Sequence, residues 1–265
     1  MAETTMTFDN AAPYERFMGR WSRAVGDIFL AWLAPPKSAR WLDVGCGTGA
    51  FTELVLDNCS PARIVAVDPA AAQIEHAQRQ PIAQRAEFRV ADALALPLPD
   101  DGFDIVSSAL VINFIPDREK ALAEMRRVAR PGGTVTGYVW DFTNGLSPNS
   151  PLQCALRKVA GDQPIPPGVA SSSIAAMQLL FAAAGLADIA TAVIDVKQTY
   201  RDFDDFWDAQ TPSFAPGAKV IAALPDNERA HARYRARRGA AEPRWQRHLF
   251  GARQCHQGAG AGGLN

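Results

Sequence analysis

"WLDVGCGTGAF", Trp41 to Phe51, decides how the chain is read. An apolar run ends in three glycines at alternate positions, Gly45, Gly47 and Gly49. Glycine enters backbone conformations with positive φ that other residues avoid, and a turn built from it brings main-chain N–H groups close to a nucleotide. A strand, a nucleotide-binding turn and a helix are therefore predicted in immediate succession.

The same alternation continues outward from the turn. "ARWLDVG", "ARIVAVD", "AEFRVAD", "FDIVSSAL" and "TVTGYVWD" read as strands. Between them "GAFTELVLDNC", "PAAAQIEHAQRQ" and "DREKALAEMRRVAR" have helical spacing. The second of these helices carries proline at its first position. The third places Leu122, Met125 and Ala129 on one face and is stopped by "PGG", Pro131 to Gly133. Upstream, Tyr14 to Leu33 is helical in pattern and ends at Pro35 and Pro36. Alternation from Ala39 to Asp141 predicts an α/β fold: a doubly wound, Rossmann-like, mostly parallel sheet with helices on both faces. In such sheets ligands bind at the carboxyl ends of the strands.

The second half is less regular. "TNGLSPNSPLQ" and "GDQPIPPGVASSS" read as loops. Ser173 caps a helix bearing Ile174, Met177, Phe181 and Ala184 and closed by Gly185. "ADIATAVIDVKQTY" reads as a sixth strand and "FDDFWDAQ" as a short helix over the sheet edge. "RAHARYRARR", Arg229 to Arg238, is a solvated basic helix face.

Composition narrows the class. The chain has 265 residues, 48% hydrophobic and 21% charged, with net charge −1, so nothing pulls it as a whole toward nucleic acid or an anionic membrane. The four cysteines, Cys46, Cys59, Cys154 and Cys255, show no zinc-ligand spacing and do not make a disulfide scaffold. "MAETTMTFDN" is acidic and polar, unlike a signal peptide, and no apolar run would span a bilayer. A cytoplasmic location is expected.

The glycine turn itself is ambiguous, because Gly45, Gly47 and Ala50 also satisfy the dinucleotide pattern. Asp43 stands two residues before Gly45, where it would repel a pyrophosphate and suit a cationic ligand; it can equally cap the next helix. Asp68 ends the second strand, where a carboxylate accepts both ribose hydroxyls, as in NAD enzymes, or caps a helix that opens with proline. Asp92, after the third strand, can accept from an adenine amino group or simply make a turn.

Taken together, "WLDVGCGTGAFTELVL", "VAVDPA", "VADALALPLPDDGFDIV" and "RRVARPGG" resemble the successive motifs of the class I S-adenosylmethionine-dependent methyltransferases. The resemblance is closest to the branch holding the ubiquinone and menaquinone biosynthesis enzymes and runs from about Tyr14 to about Tyr200. It implies a seven-strand sheet with the last strand antiparallel, and S-adenosyl-L-methionine as methyl donor. It puts Asp43, Gly45, Cys46, Gly47 and Gly49 around the methionine part, Asp68 on the ribose and Asp92 and Ala93 at the adenine. Ser108 and Ala109 would flank the sulfonium and adenine. Tyr14 and Arg23 of the N-terminal segment would reach the cofactor carboxylate, unless both only pack and solvate an amphipathic helix.

No catalytic base stands out. His76, His231, His248 and His256 lie outside the motifs, while Tyr138, Trp140 and Asp141 end the fifth strand on the acceptor side. The Asn/Asp-Pro-Pro-aromatic signature of relatives that methylate base or glutamine amino groups is absent from "SSALVINFIPD". A small-molecule acceptor is therefore expected, apolar or aromatic from the Phe, Trp and Pro content of 141–172 and 200–225, with no nucleic acid and no membrane as partner. The acceptor's identity and the oligomeric state are not legible.

The ending departs from the family. Members close on a strand resembling "DGSIxFSARANAIKG", whereas this chain ends "EPRWQRHLFGARQCHQGAGAGGLN". Suitable codons for "RWQRHLFGARQCHQG", shifted by one base, give "DGSVIFSARANAIKG", so a frameshift is expected. The glycine-rich end reads as disordered. The expected organisation is one domain: an N-terminal helical cap over 1–38, a cofactor-binding core over 39–141, an acceptor-side region over 142–238 and an atypical tail over 239–265. The alternatives are an NAD(P)-dependent oxidoreductase, weakened by Asp43 and the lack of a Tyr-x-x-x-Lys pair, and a non-catalytic adenosylmethionine-binding protein disabled by its tail.

Overall fold

The computed structural model describes residues 20–143, 150–161, 168–196, 199–212, 216–240 and 247–255. The elements run α1 (Arg20–Leu33), β1 (Arg40–Val44), α2 (Ala50–Cys59), β2 (Arg63–Asp68), α3 (Ala71–Gln78), β3 (Glu87–Val90) and β4 (Phe103–Ala109). Then come α4 (Arg118–Val128), β5 (Ala129–Trp140), α5 (Ser150–Ala160), α6 (Ile174–Ala183) and β6 (Ala187–Val196). The chain continues through α7 (Phe203–Gln210), α8 (Pro216–Ala223), α9 (Asp226–Ala240) and β7 (Arg247–Cys255).

The strands form one sheet in the order β3-β2-β1-β4-β5-β7-β6. β1 to β5 pair in parallel, and β7 runs antiparallel between β5 and β6. From β1 the chain winds outward to β3, then returns to lay β4 on the other side of β1. The strand order thus reverses between β1 and β4, and a crevice opens at their carboxyl ends. The glycine turn leaves β1 at that point.

Strands buried on both faces carry near-continuous apolar residues, and each face has its own core. On one, Leu42, Val65, Val106 and Val135 meet Leu122 and Met125 of α4 and Met177 and Phe181 of α6. On the other, Trp41, Ile64, Ile105 and Tyr138 meet Val25 and Phe29 of α1 and Phe51 and Val55 of α2. A separate helical cluster joins Leu152 and Leu156 of α5, Phe206 and Trp207 of α7, Ile221 of α8 and Ala232 and Ala236 of α9.

Several boundaries differ from the sequence reading. The α4 helix ends at Val128, so Ala129 begins β5 instead of lining a helix face, and Pro131 to Gly133 lie inside the strand. Gly132 takes φ 72°, and the register against β4 slips between Phe103 and Ile105, so the Pro-Gly-Gly is absorbed as an irregularity. Pro69 precedes α3, whose N-cap is Ala70. "SPLQ" opens α5, because Pro151 falls in the first turn, where its missing N–H costs nothing. The α7 helix packs in the helical cluster with α5, α8 and α9. Ser173 does cap α6, its hydroxyl accepting from the Ala176 N–H at 3.2 Å, and Gly185 follows at φ 72°.

The tail supplies the seventh strand in its present reading frame. Arg247–Cys255 pairs with Thr134–Trp140 of β5 on one side and with β6 on the other. Backbone hydrogen bonding between two unpaired edges drives this insertion, which leaves neither β5 nor β6 with an open edge on that side.

Candidate functional site

The glycine turn is lashed to the end of β2. The N–H groups of Gly45 and Cys46 both donate to the Val67 carbonyl, at 2.8 and 3.0 Å. The Gly47 N–H donates to Asp68 Oδ2 at 2.9 Å. All three glycines have positive φ: 79° at Gly45, 54° at Gly47 and 89° at Gly49. Their surroundings differ. A Cβ on Gly45 would meet Val111 at 2.6 Å and one on Gly49 would meet the Phe88 ring at 3.0 Å, so both are hemmed in by protein. A Cβ on Gly47 would meet nothing within 4 Å. That backbone faces open space in the crevice, as a cradle for a ligand does.

Two carboxylates flank the turn. Asp43, fully buried in β1, accepts from the Thr52 hydroxyl at 2.7 Å, with Ser107 Oγ at 3.5 Å from its other oxygen. Burial pushes its carboxyl up to about 7; the Thr52 hydrogen bond opposes the rise and the neighbouring Asp68 charge adds to it. Asp68 accepts from Gly47 N–H on one oxygen and from Ala70 N–H, at 2.9 Å, on the other. Burial raises this carboxyl too, against those two N–H groups. Each Asp68 oxygen keeps a lone pair for a further donor, as a ribose diol requires. Thr52 and Ser107, which hold Asp43, were not singled out in the sequence; the signal was a hydroxyl one turn into α2 and another opposite Asp43 in the strand register.

The other anticipated residues fall as follows. Cys46 is buried, and burial first, then the Asp43 and Asp68 charges, push its thiol well up, which keeps it protonated and unreactive. Asp92 is exposed and accepts from the Leu94 N–H at 2.9 Å, closing a turn, with Ala93 buried beside it. Ser108 is buried with its hydroxyl unpartnered, and Ala109 is half-buried next to it. Arg23 lies on α1, where its guanidinium donates to Glu53 of α2 at 3.0 Å. Tyr14 lies outside the described residues. Of the histidines, His76 is half-buried beside Gln80 and His231 is exposed beside Arg235 on α9. The side chains of His248 and His256 are not among those described.

Aromatic side chains gather at the carboxyl ends of β4 and β5, Trp21 and Trp140 as part of the core. Trp21 of α1 meets Trp140 edge-on, with ring centroids 5.9 Å apart, and Phe114 meets Phe142 likewise at 6.0 Å. Tyr138 packs against Phe29, with ring centroids 4.7 Å apart and planes tilted by 52°, and belongs to the core. Asp141 is buried at the same end. Among the described residues no group of three or more His, Cys, Asp or Glu could hold a metal ion, and no helix is long and apolar enough to cross a membrane.

The donor set discriminates between ligands. A pyrophosphate on the glycine turn would face two carboxylates, one buried and one half-buried, which repel it in a medium of low dielectric. Adenosylmethionine carries an ammonium and a sulfonium, and its positive charge relieves the burial that raises both carboxyls.

Residues 42–136 match the methyltransferase domain family. Over 116 residues the chain is 40% identical to a demethylmenaquinone methyltransferase of Thermus thermophilus, covering 43% of this chain and 51% of that protein. Over 132 residues it is 36% identical to a malonyl-[acyl-carrier protein] O-methyltransferase of Halorhodospira halophila, covering 49% of this chain and 45% of that one. In three dimensions it is similar to a chain from the complex between the Haloferax volcanii Trm112 methyltransferase activator and a methyltransferase. That match has a TM-score of 0.61 and 19% identity, over 97% of this chain and 100% of that one. The chain spans about half the length of the curated relatives it matches. Residues 42–136 thus carry a methyltransferase domain on a Rossmann-like sheet, and the relatives it resembles include ubiquinone and menaquinone biosynthesis methyltransferases.

Proposed function

We propose that the chain moves the methyl group of S-adenosylmethionine to a small-molecule acceptor. The observation that carries this reading is the pair of carboxylates, Asp43 buried and Asp68 half-buried, on either side of the open backbone at Gly47. When bound, the cofactor supplies an electrophilic methyl on a sulfonium that departs as a neutral thioether.

The residues of this chain align and enclose. Asp68 receives the ribose hydroxyls, and Gly47 gives the methionine part room against the backbone of a turn that Gly45, Cys46 and Gly49 shape. Asp43 meets its positive charge from below the turn, Asp92 and Ala93 border the adenine, and Ser108 and Ala109 lie beside the sulfonium. Arg23, and Tyr14 beyond the described residues, are assigned to the methionine carboxylate, Arg23 by releasing Glu53. Alignment of a donor and an acceptor held this way supplies about 7–11 kcal/mol of barrier reduction in favourable cases. Displacement at a sulfonium needs no base unless the acceptor sheds a proton, which fits the lack of a histidine in the motifs.

The acceptor enters at the ends of β4 and β5, where Trp21, Trp140, Phe114 and Phe142 gather. Aromatic surroundings with few polar groups suit a compact apolar molecule better than a nucleic acid strand, which needs a basic groove. The curated relatives, named for a quinone precursor and for a carrier-bound malonyl group, are consistent with that choice.

Incubation with methyl-labelled adenosylmethionine and a fractionated cell extract tests the reading. Label is expected in the low-molecular-weight organic fraction. Label found only in protein or nucleic acid overturns it.

A further inference from the structure

The motif "RRVARPGG" begins at the end of α4, and the proposed function gives it no task. Its second arginine, Arg127, stands one turn after Glu124, beside the apolar face that Leu122, Met125 and Val128 turn to the core. Both side chains reach the segment between β3 and β4, residues 91–102, which holds Asp92. Ala93, Leu96 and Leu98 of this segment are buried in the core. The main chain beside them therefore needs hydrogen-bond partners that no neighbouring strand supplies.

Arg127 and Glu124 supply them, and all five N–H donors of the guanidinium are used. Nε and Nη2 donate to the two Glu124 oxygens, both at 2.7 Å. Nη2 also donates to the Leu96 carbonyl, and Nη1 to the Leu98 carbonyl, each at 2.9 Å. The other Nη1 hydrogen goes to Asp100 at 2.6 Å. Glu124 Oε2 in turn accepts from the Leu96 N–H at 2.8 Å, so Leu96 is gripped by both its N–H and its carbonyl. The Arg127 hydrogen bonds hold the Glu124 carboxyl below its ordinary range, which keeps the clamp charged on both sides at neutral pH.

The grip reaches Asp92 through a short turn. The Ala95 N–H donates to the Asp92 carbonyl at 3.1 Å, and the Leu94 N–H donates to the Asp92 carboxylate at 2.9 Å. The segment's other end is tied to the second carboxylate of the site, since the Ala91 N–H donates to the Asp68 carbonyl at 3.1 Å. Asp92 is thus exposed between two anchors. Apolar burial is non-directional and would let the segment slide, whereas hydrogen bonds fix its register. A lone exposed ion pair contributes little, but a bidentate pair that also takes main-chain carbonyls sets a geometry.

Resting on the methyltransferase reading, we propose that Arg127, oriented by Glu124, is a positioning residue for the adenine: it holds segment 91–102 so that Asp92 accepts from the adenine amino group, and it thereby selects adenine over bases with an oxo group in that place. An oxo group there would set its oxygen against the carboxylate.

Calorimetric titration of the full chain with S-adenosylhomocysteine and S-inosylhomocysteine tests this, because the two differ in the amino or oxo group of the base. Wild type is expected to prefer the adenosyl ligand by roughly tenfold or more, a hydrogen bond to a charged group being exchanged for a repulsion. In Arg127→Met the preference should fall below about threefold, with Arg127→Lys, which keeps the charge but not the planar fork, in between. Binding of the inosyl ligand, which relies on the ribose and methionine contacts, should change by less than about twofold. Arg127→Met also lowers the melting temperature, as loss of any clamp would; the ratio of the two affinities is what a merely structural role leaves unmoved. Asp92→Ala should abolish the preference by itself, and adding Arg127→Met should remove nothing more. If Arg127→Met does not fold, Arg127→Lys and Glu124→Gln carry the same comparison, each with a reduced preference expected. An unchanged ratio in the folded variants, equal loss of both ligands, no preference in wild type, or a further fall in the double variant overturns the assignment. Failure of folded wild type to bind S-adenosylhomocysteine at all overturns the methyltransferase reading beneath it, whereas binding without preference removes Arg127 alone.

Discussion

At the scale of single residues, the proposed function gives Asp43 and Asp68 different tasks, and two substitutions separate them. Asp68 touches solvent and has oxygens free to accept, so Asp68→Ala should weaken adenosylmethionine at least tenfold, from about 1.5–3 kcal/mol per hydrogen bond to a charged group. Unchanged affinity in a calorimetric titration would remove Asp68 from the ribose. Asp43 acts through charge. With its carboxyl near 7, it is about half protonated at neutrality, and a cation binds better once it is ionised. Affinity should therefore rise from pH 6 to pH 8, with proton release on binding that Asp43→Asn abolishes. Stability runs the other way. The folded state holds this proton more firmly than the unfolded chain, so the contribution is full below the ordinary carboxylate range and is lost as pH rises through about 7. Without cofactor, Asp43→Asn should lose less melting temperature between pH 6 and 8 than wild type does. These two aspartates were legible in the sequence because they sit at fixed offsets from glycines that end a strand. Their partners Thr52 and Ser107 were not, since a lone hydroxyl carries no period and meets Asp43 only through the helix turn and the strand register.

At the scale of elements, the β1–α2 junction shows why three glycines are not equivalent. Gly47 needs glycine only for its φ, so Gly47→Ala costs about 1–2 kcal/mol of strain with no collision. Gly49→Ala meets the same strain and also presses on Phe88, so it should lower the melting temperature further. Their effects on cofactor affinity should rank in the opposite order, because Gly47 alone faces open space. A larger stability loss at Gly47 than at Gly49 would contradict this division. Strand-helix alternation from Ala39 to Asp141 was legible because apolar runs and turn residues mark each boundary. Two features were not. Pro131 to Gly133 reads as a stop but is carried inside β5, where pairing with β4 overrides the local preference. The α5 helix hides behind serine and proline, residues that belong in a first helical turn as readily as in a loop.

At the scale of the whole molecule, the seventh strand joins the two halves of the sheet. Among the described residues β6 pairs only with β7, so loss of Arg247–Cys255 would detach β6 and open the edge of β5. The ending departs from the family's closing strand, so the sequence alone does not show a seventh strand in "RHLFGARQC"; the gap between β5 and β6 supplies what the motif does not. The one-base-shifted frame writes "VIFSARANA" over the same positions. Its β-branched start suits a strand better, so a chain carrying it should melt higher while binding cofactor equally. A lower melting temperature would show the present ending to be the better fit.

The central claim is that the crevice between β1 and β4 takes adenosylmethionine and not a dinucleotide. Calorimetric titration of the 265-residue chain with S-adenosylmethionine, with NAD in a parallel cell, tests it most directly. Micromolar binding of adenosylmethionine and none of NAD is the expected result. Binding of NAD, or of neither by a folded sample, would contradict it.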